Sequence, residues 1–150
     1  MTTDYEDLNT SLKAISEGIR HELSVLSNAT ALIYENMPDL NWCGFYISDG
    51  ERLYLGPFQG KVACTEIEFG KGVCGTAYSR NETVLVKDVH SFDGHIACDS
   101  ASNSEIVIPI HKNGEIYGVL DIDSPLPARF TEEDKEGLEL IVKSLEEILK

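Results

Sequence analysis

Three cysteines, Cys64, Cys74 and Cys98, lie in glycine-bearing segments that read GKVAC, GKGVCG and GHIACDSASNSEI. A cysteine kept only to fill a core needs no glycine beside it. A thiol that attacks a substrate needs an open approach and neighbours that control its ionisation. The cluster therefore points to thiol chemistry. Cys98 stands in a polar stretch beside Asp99, shortly after Gly94 and His95, and two further cysteines in similar settings supply resolving partners for a redox thiol. The fourth, Cys43, is flanked by Trp42 and Gly44 in an aromatic run and reads as a small buried hydrophobe.

Zinc competes for the same residues. Four cysteines together with His90, His95 and His111 could supply ligands, and His90 and His95 have the spacing of a zinc-finger histidine pair. No closely spaced cysteine pair precedes them, so half the signature is missing. The reading carries no metal and no cofactor.

Acidic residues form the second constellation. In Val119-Leu120-Asp121-Ile122-Asp123, strand alternation sets both aspartates on one face and sends Leu120 and Ile122 to the other. Two carboxylates side by side repel each other and call for a cation, a shared proton or a ligand amine; a solvated strand end is the plainer reading. Glu105 opens the neighbouring strand. An ideal two-residue turn at Asn113-Gly114 pairs Glu105 with Ile122, on the face away from the aspartates. A bulge at Pro109 would change that register. Trp42 and Tyr46, four apart in a strand, share a face and read either as core or as an aromatic wall for a methyl or thioether group.

The elements that must position these residues follow from periodicity. Leu8, Leu12, Ile15, Ile19, Leu23 and Leu26 form a helical stripe that predicts a helix from residue 5 to about 27, with a second over 28–36. Strands are expected at 41–48 and 52–59, a short helix over 73–79 behind Gly70-Lys71-Gly72, and a brief strand at 83–86. Residues 90–103 read as a loop. Residues 105–110 and 116–123 form a hairpin across Asn113-Gly114. Thr131 is the expected N-cap of a last helix with acids in its first turn. The order predicts an α+β two-layer domain: an antiparallel sheet with the terminal helices packed on one face. The apolar stripes of those helices could also meet a second subunit, and a homodimer is expected.

At 150 residues with 42% hydrophobic and 25% charged content, the chain reads as one soluble domain spanning 1–150. A net charge of -14 argues against nucleic acid and anionic membranes, which need concentrated Lys and Arg. The N-terminus has no basic segment followed by an apolar run, so a cytoplasmic location is expected.

Taken together, NWCGFYI, GPFQGKVAC, FGKGVCGTA, HIACDSASNSEIVIPI and YGVLDIDSP resemble the free methionine-(R)-sulfoxide reductases, which are single GAF domains. The likeness runs from about Trp42 to Phe130. It implies that Cys98 is the catalytic cysteine, Cys64 the main resolving cysteine and Cys74 a second thiol able to join the relay. It also implies that Glu105, Asp121 and Asp123 are substrate-binding carboxylates and that Trp42 and Tyr46 form an aromatic pocket. Cys43 departs from the pattern, where a small apolar residue is expected. The implied reaction is reduction of free methionine sulfoxide through a sulfenic acid and a disulfide, reset by thioredoxin. The alternative is a ligand- or redox-sensing GAF module without turnover.

Overall fold

The structure is a computed structural model that describes residues 2–94 and 101–150. Helices α1 (Tyr5–Ser16) and α2 (Glu22–Asn36) precede strands β1 (Trp42–Ser48), β2 (Arg52–Gly60) and β3 (Glu66–Glu68). Helix α3 (Gly72–Arg80), strand β4 (Val84–Val86) and a 3-10 turn at Val89–Ser91 follow. The chain ends with β5 (Ser104–Lys112), β6 (Glu115–Ser124) and α4 (Glu132–Ile148).

The strands form one antiparallel sheet in the order β3-β2-β1-β6-β5-β4. Alternation along each strand sends side chains to two separate apolar layers. On one face, Cys43, Phe45, Ile106, Ile108, Ile110, Leu120 and Ile122 pack against residues of α1, α2 and α4. On the other, Trp42, Tyr46, Val107 and Val119 pack with Val73, Cys74 and Ala77 of α3. The terminal helices therefore share a face, as expected, and α2 joins them. Tyr5 ties α1 to α4 by donating a hydrogen bond to Asp134 Oδ1 at 2.6 Å. Thr131 is the N-cap of α4, and Asp134 completes a reciprocal capping box with it.

The helix boundary expected at 27/28 falls instead at residues 17–21, and α2 runs unbroken from Glu22 through the segment expected as a separate helix over 28–36. The chain leaves helical geometry after Ser16 and turns through Gly18 at φ +75, a left-handed backbone that glycine adopts without cost. Ile19 and Leu23 continue the apolar spacing of α1 across the break, which hides it in the sequence. In the fold they are not core: Ile15, Ile19 and Leu23 are exposed. Among the described residues, no helix is long and apolar enough to cross a membrane.

Candidate active site

The α3-facing layer carries the acids. In the β5–β6 ladder Glu105 stands opposite Asp123, and Val107 opposite Asp121. On the other side of β6, Trp42 pairs with Asp123, Gly44 with Asp121 and Tyr46 with Val119. Glu105, Asp121 and Asp123 thus share the face of Trp42 and Tyr46. This corrects the ideal-turn register, which set Glu105 opposite Ile122. The hairpin begins as expected, with Lys112 opposite Glu115 and His111 opposite Ile116. Ile110 then pairs with Gly118, leaving Tyr117 as an extra residue. This bulge lies in β6 rather than at Pro109, and one inserted residue carries every later side chain of one strand to the other face.

Burial makes the row unusual. Glu105, Asp121 and Asp123 are 6%, 6% and 8% exposed. Burial, followed by the neighbouring Asp121 and Asp123 charges, drives the Glu105 carboxyl well above its ordinary range. Burial also raises Asp121, against the neighbouring Glu105, Cys74 and Asp123 side chains, which favour its ionised form. Both shifts favour the protonated form, the form a general acid requires.

Helix α3 delivers Cys74 to this row. One ligand atom each from Cys74, Glu105 and Asp121 lie within 4.8 Å of one another. Cys74 is a buried free thiol, and burial plus the Asp121, Glu105 and Asp123 charges hold it well above the ordinary thiol range. It is therefore protonated and weakly nucleophilic in this state. Cys43 is a second buried free thiol, on the opposite face, in the helix-covered core.

The aromatic wall is larger than the pair read from the sequence. Trp42 stacks on Tyr46 at 5.8 Å and on Phe58 at 5.2 Å between ring centroids. Gly44, opposite both Phe58 and Asp121, makes room for it: a Cβ there would strike the Phe58 Cβ and the Trp42 ring. Phe58 reaches the wall from β2, one residue after Pro57.

The polar tips of the wall hold the next loop. Tyr46 donates a hydrogen bond to the Cys64 carbonyl at 2.9 Å, and Trp42 Nε1 donates to the Lys61 carbonyl at 3.1 Å. Cys64 is half-buried and disulfide-bonded. Cys98 and His95 lie outside the described residues. The flanks of their segment are anchored beside the acids: Val89 N–H donates to the Asn103 carbonyl at 2.9 Å, and Asn103 N–H donates to the Ser124 carbonyl at 2.8 Å. Asn41 Nδ2 donates to Ser102 Oγ at 3.0 Å. Among the other metal-ligand candidates, His111 contacts Glu146 and Asn81, and His90 contacts Asn103.

The GAF domain pattern matches residues 11–149. The free methionine-R-sulfoxide reductase of Escherichia coli is 53% identical over 148 residues, covering 99% of this chain and 90% of that protein. The chain belongs to the free methionine-R-sulfoxide reductase family of GAF domains. The reduced fRMsr of Staphylococcus aureus superposes with a TM-score of 0.96 at 50% identity, covering 99% of this chain and 97% of that one. The Neisseria meningitidis free methionine-R-sulfoxide reductase, solved in complex with its substrate, superposes with a TM-score of 0.94 at 38% identity, over 99% and 92% of the two chains. Membership makes this chain an oxidoreductase of the methionine sulfoxide reductase class, built on the curled antiparallel sheet of those structures.

Proposed function

We propose that this chain, acting as a single GAF domain over residues 1–150, reduces free L-methionine (R)-sulfoxide to L-methionine with Cys98 as nucleophile. The observation that carries the reading is the buried row Glu105, Asp123 and Asp121 beside the Trp42–Tyr46–Phe58 wall. The Cys98 thiolate attacks the sulfoxide sulfur. A carboxylic acid of the row protonates the sulfoxide oxygen, which passes to Cys98 as methionine leaves and a sulfenic acid remains. Cys64 condenses with that sulfenic acid, releasing water and forming a disulfide. Thioredoxin then donates two electrons and two protons to restore both thiols. The oxidised state of Cys64, beside two free thiols at Cys43 and Cys74, supports its resolving role. Cys64 is also reachable by a protein dithiol, because it is half-buried and follows the exposed Val62. Cys74 serves as the reserve thiol of the relay.

The acids explain a preference for the free amino acid. An ammonium group entering the row stabilises the ionised carboxylates and offsets the burial that disfavours them. A methionine sulfoxide within a peptide brings no such charge. The aromatic wall takes the apolar end of the side chain. The reading places the reaction in the cytoplasm, where thiol reductants prevail, and keeps a homodimer. For the dimer, the exposed Ile15, Ile19 and Leu23 now supply the surface, since the main stripes of α1 and α4 are buried within the chain.

The test is NADPH consumption with thioredoxin, thioredoxin reductase and each sulfoxide epimer separately. Sustained turnover of the R epimer is expected, with the S epimer inert. A sensing module would consume no NADPH beyond the first reduction, and that result would reject the enzyme reading.

A further inference from the structure

Asp121 Oδ1 is buried without a hydrogen-bond partner, in a residue that is 94% shielded from solvent. A buried carboxylate oxygen left unpaired is costly, and such an atom marks a place where something binds. It stands in the one group among the described residues whose side chains could hold a metal: Cys74, Glu105 and Asp121, ligand atoms within 4.8 Å of one another. The three come from α3, β5 and β6, so sheet pairing and helix packing fix their relative positions. Asp123 lies on the same face, beside Glu105 in the ladder, as a further carboxylate donor.

We propose that the reduced protein binds one thiophilic divalent cation, of the zinc and cadmium type, at Cys74, Glu105 and Asp121. A thiolate with carboxylates selects this class: magnesium and calcium take all-oxygen shells of six or more ligands. Zinc bonds of about 2.0 Å to oxygen and about 2.3 Å to sulfur set the ligands of a tetrahedral site a little over 3 Å apart. The observed spread closes to that by a movement of about an ångström or more, within the reach of side-chain rotation. Binding displaces the protons that the buried thiol and acids hold, and the positive ion removes the repulsion among them. Affinity therefore rises with pH. A cation in this place also occupies the ground given above to the substrate ammonium, so cation and free methionine sulfoxide exclude each other. That exclusion rests on the proposed function, whereas cation binding does not.

Titration of the fully reduced, full-length protein with Cd2+, followed by the ultraviolet thiolate-to-cadmium charge-transfer band, tests the site. One equivalent is expected to raise the band, and Zn2+ is expected to displace it. Cys74→Ser should abolish the band, and Asp121→Asn should weaken binding roughly tenfold or more. Cys43→Ser and Cys64→Ser should bind as the parent does. A band that survives Cys74→Ser, or an affinity unmoved by Asp121→Asn, overturns the site. Saturating methionine sulfoxide is expected to raise the apparent Kd for Cd2+ at least tenfold. An unmoved Kd in protein that turns over the R epimer overturns the exclusion alone, and a protein that binds Cd2+ without any turnover overturns the proposed function and leaves the cation site standing.

Discussion

The phenol of Tyr46 donates its hydrogen bond to the backbone carbonyl of Cys64, 2.9 Å away. A residue of the aromatic wall therefore also holds the loop of the disulfide-bonded cysteine. Tyr46→Phe keeps the ring and removes the tether, at a cost of about 1 kcal/mol. The expected result is a roughly fivefold slower approach of Cys64 to its partner thiol, with a smaller effect on the first release of methionine. Rapid-quench measurement of methionine release against disulfide formation separates the two steps. Equal slowing of both would assign Tyr46 to the substrate pocket alone.

The cysteines divide by task. Cys98→Ser is expected to stop methionine release in a single turnover, which needs no recycling. Cys64→Ser should preserve that turnover and slow thioredoxin-driven cycling, with partial rescue by Cys74. Peptide mapping of the oxidised protein should find a Cys64–Cys98 bridge, and a bridge formed only through Cys43 contradicts the relay.

Charge removal in the acidic row should be severe for activity. Glu105→Gln or Asp123→Asn is expected to lower kcat/KM for free methionine sulfoxide roughly a hundredfold or more, the usual scale for a desolvated charge partner. N-acetylated methionine sulfoxide, lacking the ammonium, should be a poor substrate for the parent. Equal kcat/KM for the two compounds would rule out an ammonium site.

The same glutamate should act in the opposite sense on stability. Its folded-state pKa is raised well above 4.5, chiefly by burial. The folded protein thus binds more protons than the unfolded chain above the unfolded pKa. The contribution of Glu105 is fully present below that value and is lost as pH rises through the folded pKa. Glu105→Gln should therefore flatten the fall of Tm with rising pH and raise Tm at neutral pH by a few degrees, roughly the shift that 1 kcal/mol produces. Calorimetry at pH 5 and pH 8 reads this directly. A variant less stable than the parent at pH 8 would show that the carboxylate stabilises the fold.

Association should use the joint between α1 and α2, where Ile15, Ile19 and Leu23 are 41%, 45% and 65% exposed. Light scattering at micromolar concentration is expected to give twice the 16.6 kDa chain mass, and Leu23→Glu should shift it toward the monomer. A parent protein that scatters as a 16.6 kDa particle defeats the dimer.

What the sequence determined by itself is what local chemistry and short periods encode. Apolar spacing placed α4 and most of α1, Thr131 marked its cap, and Asn113-Gly114 marked the hairpin, because each depends on residues close in the chain. Alternation set Asp121 and Asp123 together on one face of β6. Three things needed the tertiary structure. The break at Gly18 was masked because Ile19 and Leu23 kept the helical spacing while serving no core. Glu105 reached the face of the aspartates only through the extra residue Tyr117, and a bulge carries no local signature when alternation resumes on both sides of it. Cys74 met Glu105 and Asp121 because α3 packs over β5 and β6, a contact between segments about thirty or more residues apart. Their proton-holding character arises from that burial, and the exclusion of water belongs to the assembled layers, not to any one segment of the chain.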